Sequence, residues 1–215
     1  MDRKALDKAR HRLRLASKAA ADLQSCATFD EFSGQWYFFL VSAKSVYTVL
    51  EQGVKLSPQS MQWFGGKQKD RRGDPLLQYL YEARNADEHG LGSSVDLQPE
   101  KHEIAVAAPG YSNTVRLDGG PFSNVVVSGT QTAVVFEGEG HPTGFRVTPL
   151  DGKPVLVRRT PASAILVDVV ARGNRRYPPP KSHLGEAVSD TSPIGVAKLA
   201  ISYLEGLLAE ASALA

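Results

Sequence analysis

The chain has 215 residues, 42% of them hydrophobic and 22% charged, with a net charge of +2 and one cysteine, Cys26. This composition excludes a disordered or fibrous chain and supplies enough apolar mass for one large core or two small ones. The pI near 8.6 falls short of the concentrated basicity of strong nucleic-acid binders. No segment has the roughly 20 consecutive apolar residues of a membrane span, and a lone cysteine makes no internal disulfide, so a reducing, cytoplasmic setting is expected.

The charged start, Met1 to Lys8, leads into no continuous apolar region and does not read as a secretory signal. From Asp2 to about Cys26, Leu6, Ala9, Leu13, Ala16, Ala20 and Leu23 recur at steps of three and four, which predicts an amphipathic helix with Cys26 as a small core residue. Thr28 or Asp30 caps a second helix running to about Gln52. Its apolar face carries Phe32, Trp36, Phe39, Leu40, Ala43, Val46, Tyr47 and Leu50. Between Val54 and Gly73 the sequence is broken by Pro58, Gly65 and Gly66 and reads as a loop. Lys67, Lys69, Arg71 and Arg72 in that loop are either ordinary solvated charges or a means of steering phosphate toward the segment that follows.

That segment, Asp74 to Gly90, reads as a complete helix of roughly four turns, with Asp74 as N-cap, Pro75 in the first turn and Gly90 as a left-handed stop. Leu76, Tyr79, Leu80, Ala83 and Ala86 fall on one side of the helical wheel and face a core. Leu77, Tyr81, Arg84, Asn85, Glu88 and His89 fall on the other. Two large apolar residues running into a polar cluster predict a homodimer interface through Leu77 and Tyr81. Asn85 and His89, and likewise Arg84 and Glu88, stand one turn apart, so all four can converge on a small anionic group, with the imidazole placed for proton transfer near neutral pH. Residue chemistry equally accommodates a plain Arg84–Glu88 helix pair and a histidine at a helix C-terminus, where the dipole favours a cation.

After Gly90 helical periodicity gives way to short β-branched runs over Glu103–Ala107, Thr114–Leu117, Asn124–Val127, Ala133–Phe136, Phe145–Thr148 and Val155–Arg158. They are separated by the turn signals Pro109-Gly110, Asp118-Gly119-Gly120 and Asp151-Gly152, a pattern of antiparallel strands and hairpins. Ile165–Arg172 is read as a strand rather than a helix, turning back at Arg172-Gly173-Asn174-Arg175 toward Tyr177. Pro178-Pro179-Pro180 is a stiff connection to a loop holding His183. From about Ser192 a last helix presents Ile194, Val196, Ala197, Ala200, Ile201, Leu204, Leu207 and Leu208. No metal-ligand spacing, phosphate-binding glycine loop or nucleophile elbow is visible, so no metal or cofactor is assigned.

The string Arg84-Asn85-Ala86-Asp87-Glu88-His89 resembles the Arg-Asn-x-x-x-His signature of HEPN (higher eukaryotes and prokaryotes nucleotide-binding) domains. These are helical bundles, many of them metal-independent endoribonucleases. With the element order, the resemblance implies an α+β chain: a four-helix HEPN-like bundle, 1–92 plus 186–215, made of three N-terminal helices and the C-terminal helix. Residues 93–185 form an inserted antiparallel β-rich segment with its linker. It further implies RNA as partner and Arg84, Asn85 and His89 as catalytic residues at a dimer interface. RNA would be cleaved through its 2′-hydroxyl to a 2′,3′-cyclic phosphate, with Lys67, Lys69, Arg71, Arg72 and Glu88 binding substrate. The alternative is a noncatalytic helical module that binds nucleotide, RNA or a protein partner, the last through the β insert.

Overall fold

The computed structural model describes residues 1–90, 92–106, 114–117, 125–128, 132–137, 144–149 and 155–215, and between 102 and 158 it describes the backbone. The described residues are mostly helical, with small β-sheets, an α+β arrangement. Helix α1 (Arg3–Asp22) starts at Asp2, whose carboxylate accepts the Lys4 amide at 2.8 Å. Helix α2 (Phe29–Gly53) opens on a capping box in which Thr28 and Glu31 satisfy each other's free amides. Its apolar stripe, Trp36, Phe39, Leu40, Val46 and Leu50, is almost wholly buried. The first helix ends four residues short of Cys26, which follows a 3₁₀ turn (Leu23–Ser25) in extended conformation. The thiol is half-buried and donates to the Asp22 carbonyl at 3.3 Å.

The stretch read as a loop contains helix α3 (Pro58–Gly73). Pro58 starts this helix rather than breaking one: it stands in the first turn behind the N-cap Ser57, where its missing amide proton has no partner to lose. Gly65 and Gly66 each cost about 1 kcal/mol of helix propensity, offset by side chains on either side of them. Phe64 is buried against Tyr47, with ring centroids 6.3 Å apart, and Trp63 and Lys67 both bind Glu210. Helix α4 (Pro75–His89) is therefore the fourth helix, not the third, and with α5 (Pro193–Ser212) the helices number five among the described residues rather than four. No helix among them is long and apolar enough to cross a membrane.

Two compact units emerge, Met1–Asp96 with Ala164–Ala215, and Leu97–Ser163. In the first, all five helices contribute to one core. The boundaries lie inside the 93–185 of the sequence reading because Val95, Leu166 and Val169 are buried in that helical core and Tyr177 packs against it. Strands β1 (Val95–Gln98) and β8 (Ser163–Leu166) pair. Buried Ser94 fixes the chain just before β1. Its hydroxyl accepts Trp36 Nε1 at 2.8 Å, and its carbonyl accepts the Val167 amide at 3.1 Å. The Tyr79 hydroxyl shares its proton between the carbonyls of Ser94, at 3.0 Å, and Val167, at 2.8 Å.

The second unit holds β2 (Lys101–Val106), β3 (Thr114–Leu117), β4 (Val125–Ser128), β5 (Thr132–Glu137), β6 (Gly144–Pro149) and β7 (Val155–Thr160). Strands β3, β4, β2 and β7 form a sheet in that order, and β5 pairs with β6. The pairings are antiparallel except β2 with β4, in register His102 to Val125, which is parallel. The chain runs to the outer edge as β3 and returns as β4, so β4 meets β2 in the same direction. The turn signals at 109–110, 118–120 and 151–152 lie outside the described residues.

Strands β9 (Val169–Val170) and β10 (Arg176–Tyr177) form a hairpin within the first unit, in register Val170 to Arg176. Gly173 and Asn174 turn it with φ of 78° and 61°, the left-handed region that glycine and asparagine enter at least cost. A second small hairpin, β11 (Ser182–His183) with β12 (Glu186–Ala187), precedes α5.

Candidate functional site

Helix α4 carries the sequence-predicted cluster, and its two ends are held differently. At its start, Asp74 is buried: Oδ1 accepts the Leu77 amide at 2.8 Å and lies 3.0 Å from His183 Nδ1, while Oδ2 accepts the Leu184 amide at 2.6 Å. His183 thus fastens the opposite end of α4 from the motif. At its finish, Gly90 donates to the Ala86 carbonyl at 2.9 Å but is extended, with φ −126° and ψ −169°, not left-handed. Glycine is needed there for space, since a Cβ would stand 2.7 Å from the Ala86 carbonyl oxygen.

Within the motif, the Arg84 guanidinium makes an ion pair with Glu88 and donates to Asn85 Oδ1 at 3.4 Å. Its side chain is only 14% exposed, and its Nε has no hydrogen-bond partner. The His89 side chain is 58% exposed, its Nε2 3.7 Å from the Glu88 carboxylate. Asn85 and His89 do share a space, a cleft of about 640 Å³ within the first unit. Tyr81, Glu82, Ala86 and Gly90 complete its α4 wall, Lys44 enters from α2, and Val170, Ala171, Arg175 and Tyr177 close it from the β9–β10 hairpin. Arg84 is not part of the lining: its guanidinium is held by Glu88.

The proposed substrate-binding cations divide. Lys67 binds Glu210 of α5 at 2.8 Å, and Lys69 is exposed away from the described cavities. Arg71 and Arg72 line an adjoining hollow of about 320 Å³, which shares Tyr81, Glu82, Arg175 and Tyr177 with the cleft. Leu77 is 6% exposed and belongs to the core of its own chain, so the interface assigned to it from the helical wheel has no exposed Leu77 to use. The wheel misplaces it because three further helices and the hairpin leave α4 a wider buried face than a single partner would. Tyr81 is half-buried, its ring centroid 4.8 Å from the Arg71 guanidinium and 5.5 Å from Lys44 Nζ.

Lys44, Arg175 and Tyr177 were missed by sequence reasoning. Lys44 follows Ala43 of the apolar stripe of α2 and carries no local signal of a site, and Arg175 was legible as a turn residue but not as a wall. Burial holds the Lys44 ammonium below its ordinary value, and the cations Arg84 and Arg71 lower it further. Among the described residues neither Lys44 nor Arg71 is in an ion pair; both lie against tyrosine rings. Such a cation group favours an anion, with an exposed imidazole alongside to move a proton. No protein-family model matches this chain, and no curated protein or solved structure matches it either.

Proposed function

We propose that the cleft at the end of α4 binds RNA and cleaves it by attack of the RNA's own 2′-hydroxyl. The observation that carries this reading is that Asn85 and His89 share one cleft with Lys44 and Arg175. A phosphodiester held by those cations would meet the exposed imidazole of His89, which removes the 2′-hydroxyl proton. The 2′-oxygen then bonds to phosphorus as the bond to the 5′-oxygen breaks, leaving a 2′,3′-cyclic phosphate and a 5′-hydroxyl. The leaving oxygen takes up a proton, donated by a second copy's His89 if two chains share the site, or by the same imidazole in a later step. Lys44, and Arg84 once released from Glu88, neutralise charge that builds on the phosphate oxygens. Asn85, one turn before His89, orients the imidazole or binds a phosphate oxygen. The likeness of residues 84–89 to the HEPN signature supports the same assignment.

One observation favours the second reading, a noncatalytic nucleotide- or RNA-binding module: Arg84 is engaged by Glu88 and mostly buried. The two readings separate in one assay. The wild type is expected to cut single-stranded RNA in chelator, leaving cyclic-phosphate ends and sparing DNA. His89→Ala is expected to lower the rate by at least 100-fold, and Arg84→Ala by at least tenfold, with native circular dichroism. Cutting that survives both substitutions removes the catalytic assignment; tight RNA binding without any cutting by the wild type establishes the noncatalytic one.

A further inference from the structure

The cleft beside His89 does not end at the motif. Beside it lies the hollow lined by Arg71, Arg72 and Gln78, and the two share Tyr81, Glu82, Arg175 and Tyr177 as walls. Along α4, Gln78 to His89 is eleven residues, or about 16 Å at 1.5 Å per residue. Cations accompany this whole length: Lys44 near the motif, Arg175 on the hairpin, Arg71 and Arg72 at the far end, against one lining carboxylate, Glu82. A single phosphate needs only one such group. A row of them beside aromatic rings is what a flexible polyanion with flat bases requires.

The aromatic component is Tyr177, whose ring lies 5.1 Å from the Arg175 guanidinium and is half-buried, so its orientation is fixed by packing. A guanidinium over an aromatic ring is a platform on which any base can stack. Tyr81 lies against two cations, Arg71 and Lys44, and holds both at the groove.

We infer that the groove from Arg72 to His89 is a track for single-stranded RNA, on which Arg71, Arg72 and Arg175 follow the backbone and Tyr177 stacks a base ahead of the bond facing His89. The inference rests on the reading of the cleft as an RNA site and names its substrate class as an unpaired strand rather than a duplex or a mononucleotide. At a stacked rise of about 3.4 Å the groove holds about five nucleotides, and fewer if the strand is extended.

The test uses the full chain and fluorescent 2′-O-methyl oligoribonucleotides of one to eight residues, which lack the nucleophile and cannot be cut. Affinity is expected to rise with length and level off at about four or five nucleotides, with a hairpin duplex at least tenfold weaker. The exposed-site double variant Arg72→Glu/Arg175→Glu is expected to weaken the octamer at least tenfold, to lower the slope of log affinity against log salt by about 1.4, and to flatten the dependence on length. Tyr177→Ala is expected to lose about fivefold or more, and Tyr177→Phe to retain affinity. A mononucleotide binding as tightly as the octamer, a preference for the duplex, or indifference to Arg72→Glu/Arg175→Glu would overturn the track. Wild-type protein that binds with this length dependence but never cuts natural RNA removes the cleavage reading and leaves the track standing. Protein that cuts RNA while its binding is independent of length removes the track and leaves the catalytic site.

Discussion

Glu88 decides how much of the Arg84 guanidinium a phosphate can reach, because the two side chains are already paired one turn apart on α4. Glu88→Gln removes the competing carboxylate and keeps the side-chain volume. It is expected to tighten binding of an uncleavable oligoribonucleotide by about two- to fivefold, the yield of releasing one partly screened ion pair, as read by fluorescence anisotropy. Lys44 shows the cost of burying an ammonium, to which the neighbouring cations Arg84 and Arg71 add. Its folded-state value lies below the ordinary 10.5, so holding the proton in the native state is unfavourable at neutral pH. That penalty is complete below the lowered value and fades as pH rises toward 10.5, where both states lose the proton. Lys44→Met is therefore expected to raise Tm at pH 7, with the gap closing toward pH 10.5, while weakening RNA binding. The sequence showed Arg84, Asn85 and His89 because their spacing is local. The same local spacing also offered the Arg84–Glu88 pair, which the structure adopts. It did not show that Lys44, forty residues earlier, would enter the cleft, because that is a fact of side-chain packing.

Helix α4 is positioned by what grips its ends. Asp74 caps the first turn and receives the Leu184 amide and His183 from the β11–β12 hairpin, while Tyr79 and Ser94 tie its middle to Trp36 and Val167. Asp74→Ala removes a cap and leaves the Leu184 amide without its acceptor, so it is expected to cost roughly 2–4 kcal/mol and lower Tm by about 5–12 °C in a thermal melt. His183→Ala leaves the cap in place and is expected to cost less than half as much. Helix limits with strong caps were readable: Thr28, Asp74 and Ser192 each start the helix expected of them. Helix α3 was not, because Pro58, Gly65 and Gly66 are breakers by propensity, and the burial of Phe64 that overrides them depends on distant Tyr47. The β9–β10 turn was legible from Gly173 and Asn174, since positive φ is a local demand.

At the scale of the molecule, Leu77 separates two models of assembly. A surface leucine at a dimer contact would tolerate Leu77→Asp as a folded monomer, but a leucine 6% exposed in the chain's own core would not. Leu77→Asp is expected to cost on the order of 4 kcal/mol and give a chain without a cooperative melt. The unit limits bear on the insert in the same way. Removing 97–163 behind a short linker spares Ser94, Val167, Val169 and Tyr177 and is expected to leave a helical protein with a cooperative thermal transition. A deletion of 94–180 takes those residues away, uncovers Trp36 and Tyr79, and is expected to aggregate. The sequence by itself determined the apolar stripes of α1, α2 and α5, the β-branched runs and the 84–89 cluster, all of them periodic or adjacent signals carried by near neighbours in the chain. Only the tertiary structure decided that α3 is a helix, that Leu77 turns inward, and that a hairpin starting 80 residues beyond the end of α4 supplies the far wall of its cleft. Each of these rests on contacts between residues far apart in sequence, where burial energy outweighs local preference.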